Sequence, residues 1–166
     1  EAFIGGAEFS FNSMGKIGNV DLTTLLGYTY MYPVSLNKDS VYKLSFSDPS
    51  SNMLKYRFNH MAKADIQATY KSFSMGVSTR YNSFMRNIDA VFEDGVLGQE
   101  LLVGMSNYRA KFNRGTAVFD ARFGYQISDA VKVNFIANNV FNTEYVSRPG
   151  TVQAPRNFLF QMQLSL

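Results

Sequence analysis

The stretch Tyr56-Arg57-Phe58-Asn59-His60-Met61-Ala62-Lys63-Ala64-Asp65-Ile66-Gln67-Ala68-Thr69-Tyr70 changes character at every residue. One set holds Tyr56, Phe58, His60, Ala62, Ala64, Ile66, Ala68 and Tyr70. The other holds Arg57, Asn59, Met61, Lys63, Asp65, Gln67 and Thr69. A period of two means a β-strand with one apolar and one polar face. With the two preceding residues the alternation covers 54–70, far beyond the usual strand of about 5–6 residues. Such a length suits a tilted strand that crosses a bilayer and extends past it.

The same reading extends in both directions and predicts seven strands: 2–12, 19–32, 54–70, 73–85, 114–126, 130–141 and 156–166. One face carries Val20, Leu22, Leu26, Tyr28, Tyr30 and Tyr32, then Met75, Val77 and Tyr81, then Phe119, Phe123 and Tyr125, then Val133 and Phe135. The opposite face carries Ser78, Arg80, Asp120, Arg122, Lys132 and Asn134. Apolar residues outside and polar residues inside are the pattern of a transmembrane antiparallel β-barrel with a wet interior.

Composition agrees. Of 166 residues, 46% are hydrophobic, 15% aromatic and only 17% charged, against about 25% charged in soluble domains. No run of 18 apolar residues occurs, so no transmembrane helix is expected. The absence of Cys excludes a disulfide scaffold, and a single His with no Cys excludes a structural zinc site. A net charge of +3 is too small to argue for nucleic acid.

The connections alternate in length. Ser13–Gly18, Lys71–Ser72 and Ile127–Asp129 are short; Pro33–Met53, Arg86–Asn113 and Asn142–Pro155 are long. Outer-membrane barrels have short periplasmic turns and long extracellular loops, which would put the C-terminus on the periplasmic side. A soluble sandwich has no reason to alternate in this way. The segment 89–102 is expected to carry a short helix. An odd count of seven strands does not close a single-chain bacterial barrel, so either an eighth strand is hidden in the connections or the chain is an incomplete wall, and a start at Glu1 already inside a strand pattern favours the second.

The C-terminal segment is more specific. Asn138-Asn139-Val140-Phe141-Asn142-Thr143-Glu144-Tyr145, then Arg148-Pro149-Gly150, then Ala154-Pro155-Arg156 and an alternating last strand resemble the end of TonB-dependent outer-membrane receptors, in a Bacteroidota-like style. The chain departs from that pattern in ending on Leu166 where the family usually has Phe. The resemblance implies that residues 1–166 are the C-terminal seven strands of a barrel of about 22 strands. The plug domain and earlier strands would lie outside this chain. It further implies import of a scarce nutrient (siderophore, haem, cobalamin, glycan or peptide). The implied partners are outer-membrane lipid, the plug, and TonB acting through the plug; a surface lipoprotein is left open.

Under this reading Lys55, Arg57, Lys63, Asp65, Arg80, Asp120, Arg122 and Lys132 face the lumen and the plug. Bases outnumber acids there six to two, and unpaired buried charge is costly, so carboxylates on the plug are the expected partners. The sharper alternative is a basic funnel for an anionic substrate. Tyr28, Tyr30, Tyr32, Tyr56, Tyr70 and Tyr125 form an interfacial girdle. Tyr108, Phe112 and Tyr145 are the candidates for ligand contact from the loops. Phe158, Phe160, Met162, Leu164 and Leu166 form the lipid-facing closing strand and resemble a barrel-assembly signal. The lone His60 falls on the outward face, so no acid/base set with a nucleophile is assembled. No enzyme, cofactor or metal site is expected. The competing reading is a small stand-alone barrel with a structural or adhesive role, or a barrel subunit of a larger surface assembly.

Overall fold

The computed structural model of the chain describes residues 1–97 and 99–165. Its elements are β1 (Ala2–Ile17), β2 (Val20–Ser35), α1 (Ser40–Leu44), β3 (His60–Tyr70), β4 (Phe73–Asn82), α2 (Val91–Asp94), α3 (Met105–Lys111), β5 (Thr116–Ser128), β6 (Val131–Asn138), β7 (Val146–Arg148), β8 (Thr151–Val152) and β9 (Asn157–Leu164). Seven strands form one sheet in the order β1-β2-β3-β4-β5-β6-β9, and β7-β8 is a separate small hairpin. Every pairing in the large sheet is antiparallel. The sheet is open, with β1 and β9 at its edges.

The seven expected strands are present, with moved boundaries. β1 runs on to Ile17, so the first short connection shrinks to Gly18–Asn19, where Gly18 supplies the left-handed φ of 58°. The third strand begins at His60, not at 54. Tyr56 sits at φ 61°, and its backbone N–H binds the Asn87 carbonyl. Residues 54–59 thus turn away from the wall, and Tyr56 and Phe58 pack into the loops. The short periodic extension of the strand was therefore loop sequence. The expected helix at 89–102 is the short α2, and a further helix, α3, follows wholly beyond that range.

Continuous register aligns side chains into rows across the wall. On one face Ala68, Met75, Phe123, Phe135 and Phe160 lie side by side on β3, β4, β5, β6 and β9. Phe73 and Tyr125 stack at 4.7 Å between centroids. These apolar side chains are exposed: Met75 63%, Phe160 69%. Among the described residues no apolar layer covers them, as expected of a face solvated by lipid. The opposite face carries rows such as Lys63-Arg80, Asp65-Ser78-Asp120 and Ser74-Gly124-Asn134-Gln161. It is not purely polar, since Leu25, Ile136 and Leu159 interrupt it.

Most of the chain's buried side chains lie away from the sheet, in the long connections. Phe46, Asn87 and Ile88 are each 1% exposed, and Met85, Met105 and Arg109 are also buried. Segments 36–59, 83–115 and 139–156 come from three separate hairpins and gather into one cap at the end of the wall opposite the two-residue turns.

Candidate functional site

The cap is organised by three polar side chains. Arg109, on α3, donates from Nε to Glu93 Oε1 (2.9 Å), from Nη1 to the Met85 carbonyl (2.7 Å) and from Nη2 to the Arg86 carbonyl (3.1 Å). Its guanidinium lies 4.5 Å over the Phe84 ring. Asn87 donates to the Met53 carbonyl and accepts from the Asp48 N–H, tying two loops together. Asp89 receives the Lys55 ammonium on one oxygen and the Tyr56 hydroxyl on the other. Among the described residues every buried side-chain nitrogen and oxygen has a partner, so the cap is a built structure. A cavity of about 40 Å³ remains between Phe58, Met85, Ile88, Met105 and Phe112.

Charges in the cap follow from these contacts. Partial burial opposes ionisation of Asp89, but the bonds from Lys55 and Tyr56 outweigh it and hold its pKa below the usual value. The Ser50 hydroxyl and the Arg86 guanidinium likewise lower that of Asp48. Burial, with the carboxylate of Asp89 beside it, pushes the Tyr56 phenol up to about 12. A lowered acid stabilises above its unfolded pKa and loses that contribution as pH falls through the folded value. A raised phenol stabilises below its unfolded pKa, near 10, and loses it as pH rises toward the folded one. Protease resistance of the loops is therefore expected to be flat from about pH 5 to 9 and to fall below about pH 4. Limited digestion with an acid-active protease, compared with digestion at neutral pH, checks this; equal resistance at pH 3 and 7 refutes it.

The predicted lumen residues separate into two groups. Lys55 and Arg57 lie in the loop before β3, not on the wall. Lys55 is half of the Asp89 pair, and Arg57 donates to the Tyr56 carbonyl. Lys63, Asp65, Arg80, Asp120, Arg122 and Lys132 are on the polar face of the sheet. Arg122 grips Asp65 with two bonds of 2.8 and 2.9 Å, and Ser78 bridges the pair. Arg80 reaches Asp120 at 3.4 Å, and the other Asp120 oxygen accepts the Asn139 N–H. Three of the six bases expected to need outside partners therefore find carboxylates within the chain: Lys55, Arg80 and Arg122. Lys63 and Lys132 have no carboxylate partner among the described residues. Lys63 lies across Gly27, where an added Cβ would sit 2.7 Å from Lys63 Cε.

Of the loop aromatics, Tyr108 is half-buried, accepts the Val146 N–H on its hydroxyl and packs on Phe112 at 4.9 Å. Tyr145 pairs through its carbonyl with the Gln153 N–H across the small hairpin. These contacts knit α3 to the last loop. His60 is on the outer face, where Nδ1 meets the Tyr28 hydroxyl at 2.8 Å and the ring approaches Tyr30 at 5.2 Å. Tyr56, by contrast, leaves the expected girdle for the cap. Phe158, Phe160, Met162 and Leu164 line the outer face of β9; Leu166 lies outside the described residues. Among the described residues no three His, Cys, Asp or Glu converge as a metal site.

Reading the sequence missed Arg109, Asn87 and Glu93. Each is a single polar residue in a long connection, and nothing in the spacing distinguishes it from a solvated one. Asn139 was within the quoted terminal motif, but its work was not visible. It takes φ 51°, its amide exchanges bonds with the Thr143 backbone in both directions, and it is 3% exposed.

No protein-family model matches the chain, and no curated protein matches it in sequence. Solved structures do match. The ferric-catecholate import receptor Fiu of E. coli K12, in its closed form, superposes with a TM-score of 0.69 at 22% identity. The siderophore receptor PiuA of Acinetobacter baumannii gives 0.65 at 11%, and the copper transporter OprC gives 0.57 at 16%. The matches cover 98–99% of this chain and 21–24% of theirs, so the chain spans about a fifth of the length of these receptors. The fold is that of a sector of the barrel wall of TonB-dependent receptors.

Proposed function

We propose that residues 1–166 are the C-terminal sector of the barrel of a TonB-dependent outer-membrane receptor, a non-enzymatic importer of a scarce nutrient. The observation that carries the reading is the wall itself. Seven antiparallel strands in unbroken neighbour order have a lipid-type face and a charged face, with two-residue turns at one end and a built cap at the other. A wide barrel wall is useful for import only if its lumen is sealed by a plug that can move, and a movable plug calls for polar, hydrated contacts. The charged face supplies them.

In this reading the cap is extracellular, the short turns and the C-terminus are periplasmic, and β9 closes the barrel against a strand outside this chain. The Tyr28, Tyr30 and His60 cluster then sits at the outer headgroup level. TonB acts on the plug and never touches this wall. That β1 and β9 are edges, unpaired with each other, supports the larger barrel over a small stand-alone one. The neighbours' cargoes, as named, include both ferric-catecholate complexes and copper, so cargo class is not fixed by the wall.

The test is intact mass and N-terminal sequence of the protein extracted from native outer membranes, run boiled and unboiled. The expected species is heat-modifiable, several-fold heavier than 18.7 kDa, and carries a plug domain in the same chain or a co-purifying one. A self-sufficient, heat-modifiable barrel of 18.7 kDa overturns the reading.

A further inference from the structure

The polar face holds a recess of about 200 Å³ across β3, β4, β5, β6 and β9. Its floor exists because two positions lack side chains. A Cβ on Gly76 would lie 2.7 Å from Arg122 Nη2, and a Cβ on Gly124 would collide with Ser74 Oγ and come 2.6 Å from Asn134 Oδ1. Neighbouring polar side chains therefore fold over both glycines and turn toward one space.

The recess is rich in donors and poor in acid. Lys132 lines it and has no carboxylate partner among the described residues. Arg122 spends Nη1 and Nη2 on Asp65 and Ser78, while its Nε makes no hydrogen bond within the described residues and lies beside Gly76. Ser74, Asn134 and Gln161 add polar groups, and no carboxylate lines the space. An ammonium beside neutral polar groups in a recess favours an anion of small size.

We propose that this recess binds one carboxylate, contributed by an aspartate or glutamate of the segment that fills the barrel lumen. Lys132 supplies the charge, and Ser74, Asn134 and Gln161 orient the group. This rests on the receptor reading. It is narrower than a generally basic lumen, because Arg80 and Arg122 already have acids of their own and Lys132 is left to act at one spot. A carboxylate held by one ammonium and neutral donors stays hydrated enough to be withdrawn when the segment moves.

The experiment is zero-length carbodiimide coupling of the full-length protein in detergent, followed by peptide mass spectrometry. The expected product is an isopeptide between Lys132 Nζ and an Asp or Glu outside residues 1–166. It should vanish in Lys132→Gln. It should fall at least tenfold in Gly124→Gln, which fills the recess and keeps the lysine; Gly76→Ser is the milder second variant if that one does not assemble. The proposal is overturned if Lys132 stays uncoupled yet is freely acetylated by a water-soluble amine reagent, if it couples only within this chain, or if its adduct is a small molecule. Should intact mass show no lumen-filling domain, the receptor reading itself fails; a domain present with Lys132 free sinks only the site.

Discussion

Replacing Arg109 with Ala is expected to open the loop cap while leaving the wall assembled. Arg109 is 7% exposed and satisfies one carboxylate and two main-chain carbonyls from the strand β4 to α2 connection. Removing it leaves the Met85 carbonyl without its side-chain donor in the core and Glu93, whose side chain is 28% exposed, without its partner, while the Arg86 carbonyl keeps only the long bond from the Ser47 hydroxyl. An unpaired buried carbonyl costs about 1–3 kcal/mol, a factor of roughly 5 to 150 in the closed-to-open ratio of the cap. Trypsin cleavage at Lys111 and Arg114 in intact cells should accelerate by about that factor, while heat-modifiability of the barrel is unchanged. Arg109→Lys keeps the charge but not the planar fork, so it should fall between the two. Wild-type protease resistance in Arg109→Ala would show that the cap does not depend on this residue.

The second large effect is expected at Asn139. This residue follows β6 in the left-handed region, and its side chain closes the loop onto Thr143. Asn139→Ala keeps a β-carbon at φ 51° but loses the short polar side chain that lets Asn sit in the left-handed region, a fraction of roughly 1 kcal/mol, and removes two hydrogen bonds at about 1 kcal/mol each. The sum, about 2–3 kcal/mol, should lower the temperature at which the unboiled band unfolds on a gel. Asn139→Gly relieves the backbone but not the amide, so it should recover about a third of the loss. If Ala and Gly behave alike, the backbone argument is wrong; if both match wild type, the amide argument is wrong as well.

The wall was legible in the sequence because its physics is one-dimensional. A strand that meets lipid on one side and water on the other must alternate, and Met75 to Tyr81 or Phe158 to Leu164 alternate without help from distant residues. The same rule put Lys63, Asp65, Arg80, Asp120, Arg122 and Lys132 together on one face of the sheet. Their partners were not legible, since Arg122 meets Asp65 only through the register of β3 on β4 and β4 on β5. The cap was invisible for a stronger reason. Its core is assembled from segments 36–59, 83–115 and 139–156, and no local period marks a residue that packs against another hairpin. The misread start of β3 shows the limit well. Tyr56 and Phe58 keep the strand's alternation in the text, yet Asp89 and the loop core draw them out of the wall.

That shared core has a consequence for anyone building chimaeras. Asn87 reads Met53 and Asp48, and Tyr108 reads Val146. Transplanting one outer loop from a relative would strand these side chains against foreign neighbours. The three segments should transfer as a single cassette. Natural variation in them should likewise arrive in correlated sets, while the two-residue turns at the opposite rim change one at a time.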